Sequence, residues 1–219
     1  MDDPPSVGGR PIDDGGLRTE PLEEVNAEDD YDAEYRYDRE PIGAVQGLSP
    51  ERVVYTSSSS KTLAPCLRLG WLVLPSWLAS SLAEAKNNDD LGSPAIDQLA
   101  LADFISSGRF DRHLRRNRTI YRRRRDALVS ALTKHLPEVE VQGVAAGLHL
   151  LVKLPAGVDE DRLAAAAAER SVGATSLATH RFPGGRVDPA ILLGYGAISE
   201  STIEPGTKRL KRALIDVTA

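Results

Sequence analysis

The sequence predicts a layered α/β fold, because short apolar runs alternate with segments of helical periodicity along most of the chain. The apolar runs are rich in β-branched and aromatic residues, which is typical of buried strands. The segments between them carry apolar stripes and cap residues, which are typical of helices. With 219 residues and 41% hydrophobic content, the chain is long enough to bury a core.

The strand predictions begin with two apolar runs on either side of a serine-rich loop. RVVYTS at 52–57 and LRLGWLVL at 67–74 are predicted to be buried strands, and the loop between them contains Lys61. Further strands are predicted for four later segments, VEVQGV, GLHLLVKL, VGATSL and AILLGYG.

Helices are predicted in the remaining segments. The first follows at 76–87, and the second is SPAIDQLALADFISSG, with Ser93 as its N-cap, Pro94 at its first position and Gly108 at its end. Two further helices are predicted. One is DEDRLAAAAAER, and the other runs from a Ser199 cap to about Val217. Pro205 should either kink this last helix or mark its true start.

The longest predicted helix runs from Phe110 to about His135. Its eight arginines between 112 and 125 could in principle bind an anionic partner. The alternative is a solvated helix face, which we favour because the net charge of the chain is −5 and because one apolar stripe spreads the arginines over the exposed arc. That stripe consists of Leu114, Tyr121, Leu128 and Leu132.

Composition also restricts the cellular setting. The single cysteine, Cys66, excludes an intramolecular disulfide and favours a reducing compartment. The acidic N-terminus does not resemble a secretory signal, and the most apolar window is interrupted by Pro75 and is too short to span a bilayer. We therefore predict a cytoplasmic protein without a membrane segment or a metal site, with a disordered tail at 1–27 that is rich in Pro, Gly and acidic residues.

The serine-rich loop brings together groups that suit a phosphate and an aldehyde. Ser58 lies three residues before Lys61, and Arg68 lies seven after it. Hydroxyls and a guanidinium bind phosphate, and a desolvated lysine amine forms Schiff bases with carbonyl compounds. Pyridoxal 5′-phosphate needs both groups, together with a carboxylate for its ring nitrogen, which AEDDYDAEYRYD at 27–38 could supply. From spacing alone, a solvated surface lysine remains the alternative.

Longer stretches of the chain resemble the aminotransferase-like domain of the MocR subgroup of GntR transcription regulators, a domain of the fold-type I pyridoxal-phosphate enzymes. The resemblance extends over about 28–215 and implies an α/β fold that is part of the fold-type I aminotransferase fold. The stretches that carry it are, in order, EDDYDAEYRYDREP, SKTLAPCLRLGWLVLP, QLALADFISSGRFDRHLRRNRTIYRRRRDALVSAL, AAGLHLLVKLP and ILLGYGAISE.

The resemblance implies a role for each matching site residue. Lys61 takes the place of the Schiff-base lysine, and Arg68 and Ser58 take those of phosphate ligands. Asp29 corresponds to the carboxylate that pairs with the pyridine nitrogen, and Tyr31 to the phenol near the 3′-oxygen of the cofactor. The alternatives for the last two are a surface carboxylate and a core tyrosine.

The chain also departs from the family pattern. Nothing in it resembles the winged helix-turn-helix domain, so DNA binding by this chain alone is not expected, and the upstream half of the catalytic domain has no counterpart. The strand that should deliver Asp29 is reduced to EEVNA at 23–27, a poor strand by composition. Cys66 stands where the family commonly has glycine, and a positive φ there would be strained. Arg186 is the candidate substrate-carboxylate ligand, although Asp188 aligns better with that position.

We therefore expect a remnant of the large, cofactor-binding domain at 28–90 and a small C-terminal domain with its long connecting helix at 91–219. The resemblance implies pyridoxal-phosphate binding, transamination of a small amino acid, and a homodimer. The alternative is a truncated and catalytically silent relic that acts as an interaction or dimerisation module.

Overall fold

The computed structural model describes residues 25–30, 33–37, 43–143, 145–181 and 188–218. Two of the predicted site residues, Tyr31 and Arg186, and the predicted tail up to residue 24 lie outside these ranges. The described part is α/β, as predicted, with five helices and two separate β-sheets.

The first sheet has three strands, β1 (Asn26–Asp29), β2 (Val53–Ser58) and β3 (Gly70–Val73), in the order β1-β2-β3. EEVNA at 23–27 was interpreted as a poor strand, but its last two residues, Asn26 and Ala27, belong to β1. Strand β1 therefore begins inside the segment that was predicted to be a disordered tail. Its composition does not favour a strand, but β1 is stabilised by parallel pairing with β2 along its whole length. The Asn26 amide also donates to the Arg52 carbonyl at 3.0 Å.

Strand β3 differs from its prediction in length and in burial. It pairs antiparallel with β2, but it starts only at Gly70, because Pro65–Leu67 forms a short 3-10 helix. All four residues of β3 are exposed, so the prediction of a buried strand is wrong here. The reason is positional: β3 is the edge strand of a sheet that the described residues do not cover on this side.

Three predicted helices follow, α1 (Ser76–Asp90), α2 (Ala95–Ser106) and α3 (Arg109–His135). The Ser93 cap of α2 is not formed, because Pro94 occupies the N-cap position and the Ser93 hydroxyl instead accepts from Lys86 Nζ at 2.6 Å. Gly108 has φ = 67° and joins α2 to α3, a left-handed conformation that suits glycine.

The second sheet is antiparallel and has four strands, in the order β4-β5-β7-β6. Pro205 was predicted to kink the last helix or to begin it, and the second alternative is wrong, because this helix already starts at Glu200. The elements of this region are β4 (Glu140–Gln142), β5 (His149–Lys153), α4 (Glu160–Glu169), β6 (Thr175–Ser176), β7 (Ala190–Gly194) and α5 (Glu200–Thr218).

The hydrophobic core lies between the four-stranded sheet and helices α3, α4 and α5. In the predicted stripe of α3, Leu128 and Leu132 are buried and Tyr121 is packed against the core. Tyr35 and Tyr37 are the only members of the core cluster that precede α3 among the described residues. Within the described ranges, no helix combines the length and hydropathy required to cross a membrane.

Candidate cofactor site

The serine-rich loop is closed at its base by hydrogen bonds between its two ends. The Ser59 amide and the Ser59 hydroxyl both donate to the Leu69 carbonyl oxygen, at 2.9 Å and 3.1 Å. Lys61 and Arg68 therefore belong to one short loop, residues 59–69, whose two ends meet at the end of the sheet. We call it the lysine loop.

The two strands that enter and leave this loop approach each other closely at Gly70. Gly70 pairs with Ser58, and a Cβ added to it would lie 3.1 Å from the Ser57 carbonyl oxygen. Because that oxygen belongs to the backbone of β2, a side chain at residue 70 would require the backbone to shift by a few tenths of an ångström.

The turn that carries Lys61 is internally ordered. The Leu63 amide donates to the Ser59 carbonyl oxygen at 2.8 Å, and the Thr62 hydroxyl donates to the same oxygen at 3.4 Å. Ser59 and Thr62 are 1% and 5% exposed, so this serine run is not a loose surface turn. Lys61, between them, is half-buried.

Two side chains from outside the loop hold the carbonyl groups on either side of the Lys61–Thr62 peptide. Tyr35 donates from its hydroxyl to the Lys61 carbonyl oxygen at 3.3 Å. His113, on α3, lies with Nε2 2.8 Å from the Thr62 carbonyl oxygen and 2.8 Å from Nδ2 of Asn117. Burial raises the pKa of Tyr35 to about 12, which keeps its hydroxyl protonated as a donor.

The contacts of Tyr35 and His113 with the loop carbonyl groups were not predicted from the sequence. Tyr35 lies within a stretch that matches the family, but nothing in that stretch indicates a contact with the lysine loop. His113 contacts a backbone carbonyl 51 residues earlier in the chain, a relation that leaves no local pattern.

Asp29 lies beside the loop at the end of β1. It pairs with Thr56 of the parallel strand β2, and residues two apart share a face, so Asp29, Thr56 and Ser58 line one face of the sheet. The carboxyl ends of adjacent parallel strands are the usual place for ligands in α/β proteins. Asp29 is exposed, whereas the neighbouring Asp30 accepts a hydrogen bond from the Tyr55 hydroxyl at 3.2 Å.

Arg68 is exposed and takes up a left-handed conformation, with φ = 52° and ψ = 29°. The strain that was considered for Cys66 falls on Arg68 instead, because Cys66 lies within the short 3-10 helix and is not among the residues with positive φ. A non-glycine residue in this conformation is uncommon and occurs preferentially at functional positions.

The candidate substrate-binding segment is only partly described, since Arg186 lies outside the described ranges. The carboxylate of Asp188 pairs with Lys153 at 2.5 Å, and this hydrogen bond raises the pKa of Lys153. Nearby, Arg181 pairs with the buried carboxylate of Glu160 at 2.8 Å. Lys153 and Arg181 are therefore each paired with a carboxylate.

Several arginines of α3 make internal contacts. Arg118 donates from Nε to the Glu34 carbonyl oxygen at 3.0 Å, and Arg124 donates to the Gly196 carbonyl oxygen. Arg125 pairs with Asp126 at 2.9 Å. These contacts favour a structural role for this part of α3 over an anion-binding face.

The described fold is part of the fold of the fold-type I pyridoxal-phosphate aminotransferases. The family profile described as Aminotransferase class I and II matches residues 31–191, and the chain therefore belongs to this family. The predicted partial fold is confirmed.

The solved structures that this chain resembles are aminotransferases. Kynurenine aminotransferase of Pyrococcus horikoshii superimposes with a TM-score of 0.78 at 28% identity, over 88% of this chain and 48% of that one. The α-aminoadipate aminotransferase LysN of Thermus thermophilus gives a TM-score of 0.79 at 28% identity, over 89% of this chain and 51% of that one.

Curated relatives include regulators of the predicted type. The uncharacterized HTH-type transcriptional regulator YhdI of Bacillus subtilis is 37% identical over 85% of this chain and 40% of its own length. The probable rhizopine catabolism regulatory protein MocR of Rhizobium meliloti is 35% identical over 86% and 38%. The resemblance to MocR-type regulators is thus confirmed, and the chain spans about two fifths of these regulators.

Proposed function

We propose that this chain binds pyridoxal 5′-phosphate, with Lys61 bonded to the aldehyde carbon and with Ser58 and Arg68 on the phosphate. The closed loop 59–69 carries the proposal, because it places an amine and a guanidinium at the carboxyl end of β2, next to the carboxyl end of β1. Membership in the aminotransferase family supports it.

The residues of the loop fit the two ends of such a cofactor. A hydroxyl and a planar guanidinium suit a phosphate dianion, and the exposed carboxylate of Asp29 on the neighbouring strand suits a protonated ring nitrogen. The cofactor, when bound, supplies an aldehyde that condenses with amines and a ring that withdraws electrons. Tyr31 remains the predicted partner of the 3′-oxygen.

The proposed activity is transamination of a small amino acid. The bound cofactor would stabilise negative charge at Cα of the amino acid, and Nζ of Lys61 would accept the Cα proton as the general base. The bonds from Tyr35 and His113 to the loop carbonyls support this role, because they fix the backbone from which the amine reaches the substrate. Arg186 is the proposed ligand of the substrate carboxylate.

A spectroscopic titration tests cofactor binding. Wild-type protein titrated with pyridoxal 5′-phosphate should develop a visible absorbance band that saturates, and Lys61→Ala should not. Lys208→Ala is the matched control, because Lys208 is an exposed lysine on α5 that pairs with Glu204 at 3.3 Å. Equal spectra for the wild type and Lys61→Ala would contradict the proposal.

A second candidate function, a catalytically silent dimerisation module, is favoured by a different observation. Helices α1 and α2 contain no buried residue, and strand β3 is exposed throughout. Large exposed apolar patches mark interaction sites. We propose a second copy of this chain as the occupant, in keeping with the homodimer that the resemblance implies. The exposed apolar side chains of these elements are Trp71, Leu72, Val73, Trp77, Ile96, Leu99 and Ile105.

Mass in solution tests the dimer. Sedimentation equilibrium of the wild type should give a dimer, and Ile96→Ser combined with Leu99→Ser should shift it toward the monomer. The control is Ile215→Ser, which changes an exposed apolar side chain on α5. A wild-type monomer at every concentration would exclude this module, and measurable transamination would exclude the silent form of it.

A further inference from the structure

A cavity of about 280 Å³ lies in the four-stranded region, away from the lysine loop. It is bounded by α3, the turn after α4, the end of β7 and the first half of α5. None of the residues predicted to hold the cofactor lines it. Its volume is slightly below the roughly 300–1,000 Å³ typical of pockets for drug-sized ligands, so a smaller molecule would fill it.

The floor of the cavity is apolar and belongs to the core. Leu128, Leu193, Ile203 and Leu210 line it, and each of them is at most 6% exposed. Such a floor suits an apolar body and offers no hydrogen-bonding groups.

Glycine keeps the space open on α5. A Cβ added to Gly206 would meet no atom within 4 Å, although this residue lies inside a helix, where glycine is unfavourable relative to alanine. Gly173, on the opposite wall, likewise has no atom within 4 Å of an added Cβ. Larger side chains at either position would project into the cavity.

Arg209 is the charged residue that lines the cavity. Arg209 is exposed, and the described residues contain no acidic partner for it, whereas the adjacent Lys208 is paired with Glu204. The hydroxyls of Thr202 and Thr207 already donate to carbonyl oxygens of Ser199 and Ile203, at 2.8 Å and 3.0 Å. Arg209 is the cationic donor among the lining residues, and a guanidinium matches a carboxylate in geometry and in charge.

We propose that this cavity binds a small monocarboxylate with an apolar body, with its carboxylate on Arg209 and its body against the leucine and isoleucine floor. Such a ligand has the size of an acid that carries a leucine- or phenylalanine-like side chain. The site is separate from the proposed cofactor site and does not depend on it.

Binding of 3-phenylpropanoate, measured by isothermal titration calorimetry, tests the proposal. This acid contains neither an amino group nor a carbonyl that could react at Lys61 or with the cofactor. Saturable binding below about 5 mM is expected for the wild type, and 3-phenylpropan-1-ol, with the same body and no charge, should bind about tenfold or more weakly.

Two variants locate the site. Gly206→Leu should fill the cavity and abolish binding, and Arg209→Gln should weaken binding about tenfold or more. Arg212→Gln is the control, because Arg212 is exposed on the same helix and does not line the cavity. If Gly206→Leu fails to fold, Gly206→Ala, which favours the helix, should still weaken binding.

Any of four results would overturn the proposal. The first three are no saturable binding by the wild type at about 5 mM, unchanged binding in both Gly206 variants, and equal loss in the Arg209 and Arg212 variants. Loss of binding in Lys61→Ala would also overturn it, since the ligand would then occupy the lysine loop. Retained binding in Lys61→Ala supports a site of its own.

Discussion

The region around the three-stranded sheet and the region around the four-stranded sheet differ in how far their apolar side chains are buried. Apart from Tyr35 and Tyr37, every member of the core cluster lies between Leu128 and Leu214. Conversely, all the large exposed apolar side chains of the described residues lie between Val25 and Ile105, with the exception of Ile215. The four-stranded region buries its own core, whereas the three-stranded region presents apolar surface that another body can cover.

The uncovered apolar surface and the candidate cofactor site belong to the same region of the chain. The chain matches about half the length of the aminotransferase structures, and the uncovered apolar surface is concentrated in the region that carries the lysine loop. The loop itself is nevertheless closed and anchored, by contacts from Leu69, Tyr35 and His113.

The largest expected effect comes from two leucine-to-alanine changes, one in each region. Leu132 on α3 is 1% exposed, and Leu132→Ala should lower the free energy of unfolding by about 2–5 kcal/mol, through lost burial and a new cavity. Leu99 on α2 is 70% exposed in the single chain, and Leu99→Ala should change the free energy of unfolding of the monomer by less than about 0.5 kcal/mol. Urea unfolding measures both. Equal losses would show that α2 is covered as well as α3.

A pair of glycine changes tests the closed loop of the three-stranded region. Gly70→Ala places a Cβ 3.1 Å from the Ser57 carbonyl oxygen and should cost about 1–3 kcal/mol locally. Gly47→Ala meets no atom within 4 Å and serves as the control. Hydrogen exchange of the Ser59 amide, which bonds across the base of the loop, should accelerate only in Gly70→Ala; an unchanged rate would contradict this account of the loop.

A smaller effect is expected at the end of α4. Ser171 has φ = 57°, and Ser171→Gly should raise the free energy of unfolding by about 0.5–1 kcal/mol, because glycine is not strained in this conformation. Gly157→Ala is the opposite case, since Gly157 has φ = 85° and alanine there should destabilise. Thermal unfolding compares the two, and a stabilising Gly157→Ala would refute the conformational argument.

The smallest effect concerns pH. Hydrogen bonds from Lys134, His135 and Lys208 lower the pKa of Glu204 from its ordinary value of 4.5 to about 2. The ionised carboxylate therefore stabilises the folded chain above pH 4.5, and this contribution is lost as the pH falls from 4.5 toward 2.

Glu204→Gln should remove that part of the pH dependence. Urea midpoints measured on both sides of pH 4.5 should differ less in Glu204→Gln than in the wild type, and the difference should shrink in high salt, because the group is exposed. Glu200→Gln, at the exposed start of the same helix, should behave like the wild type. Identical pH profiles for wild type and Glu204→Gln would contradict the assignment.

The sequence predicted the elements well wherever periodicity alone decides them, as for α3 and the strands of the four-stranded sheet. It did not predict that β3 is exposed, because burial depends on a neighbouring layer that local composition does not reveal. It undervalued β1, because Asn26–Asp29 is held as a strand by pairing with β2 and not by its own propensity.

At the candidate site, the sequence motif predicts Ser58, Lys61 and Arg68 as cofactor ligands, and the pairing of β1 with β2 puts Asp29 on the same face of the sheet as Ser58. His113 could not be predicted, because its contact is with a backbone carbonyl that any residue could supply. The left-handed backbone of Arg68 also escaped prediction, since the residue considered for strain was Cys66, two positions earlier.

The central claim is that Lys61 holds pyridoxal 5′-phosphate, and the most direct test is to trap the bond. Wild-type protein would be incubated with the cofactor, reduced with borohydride, digested and mapped by mass spectrometry. A phosphopyridoxyl adduct concentrated on Lys61, well above that on the exposed lysines Lys134 and Lys208, is the expected result. An adduct spread evenly over these lysines, or none at Lys61, would contradict the account.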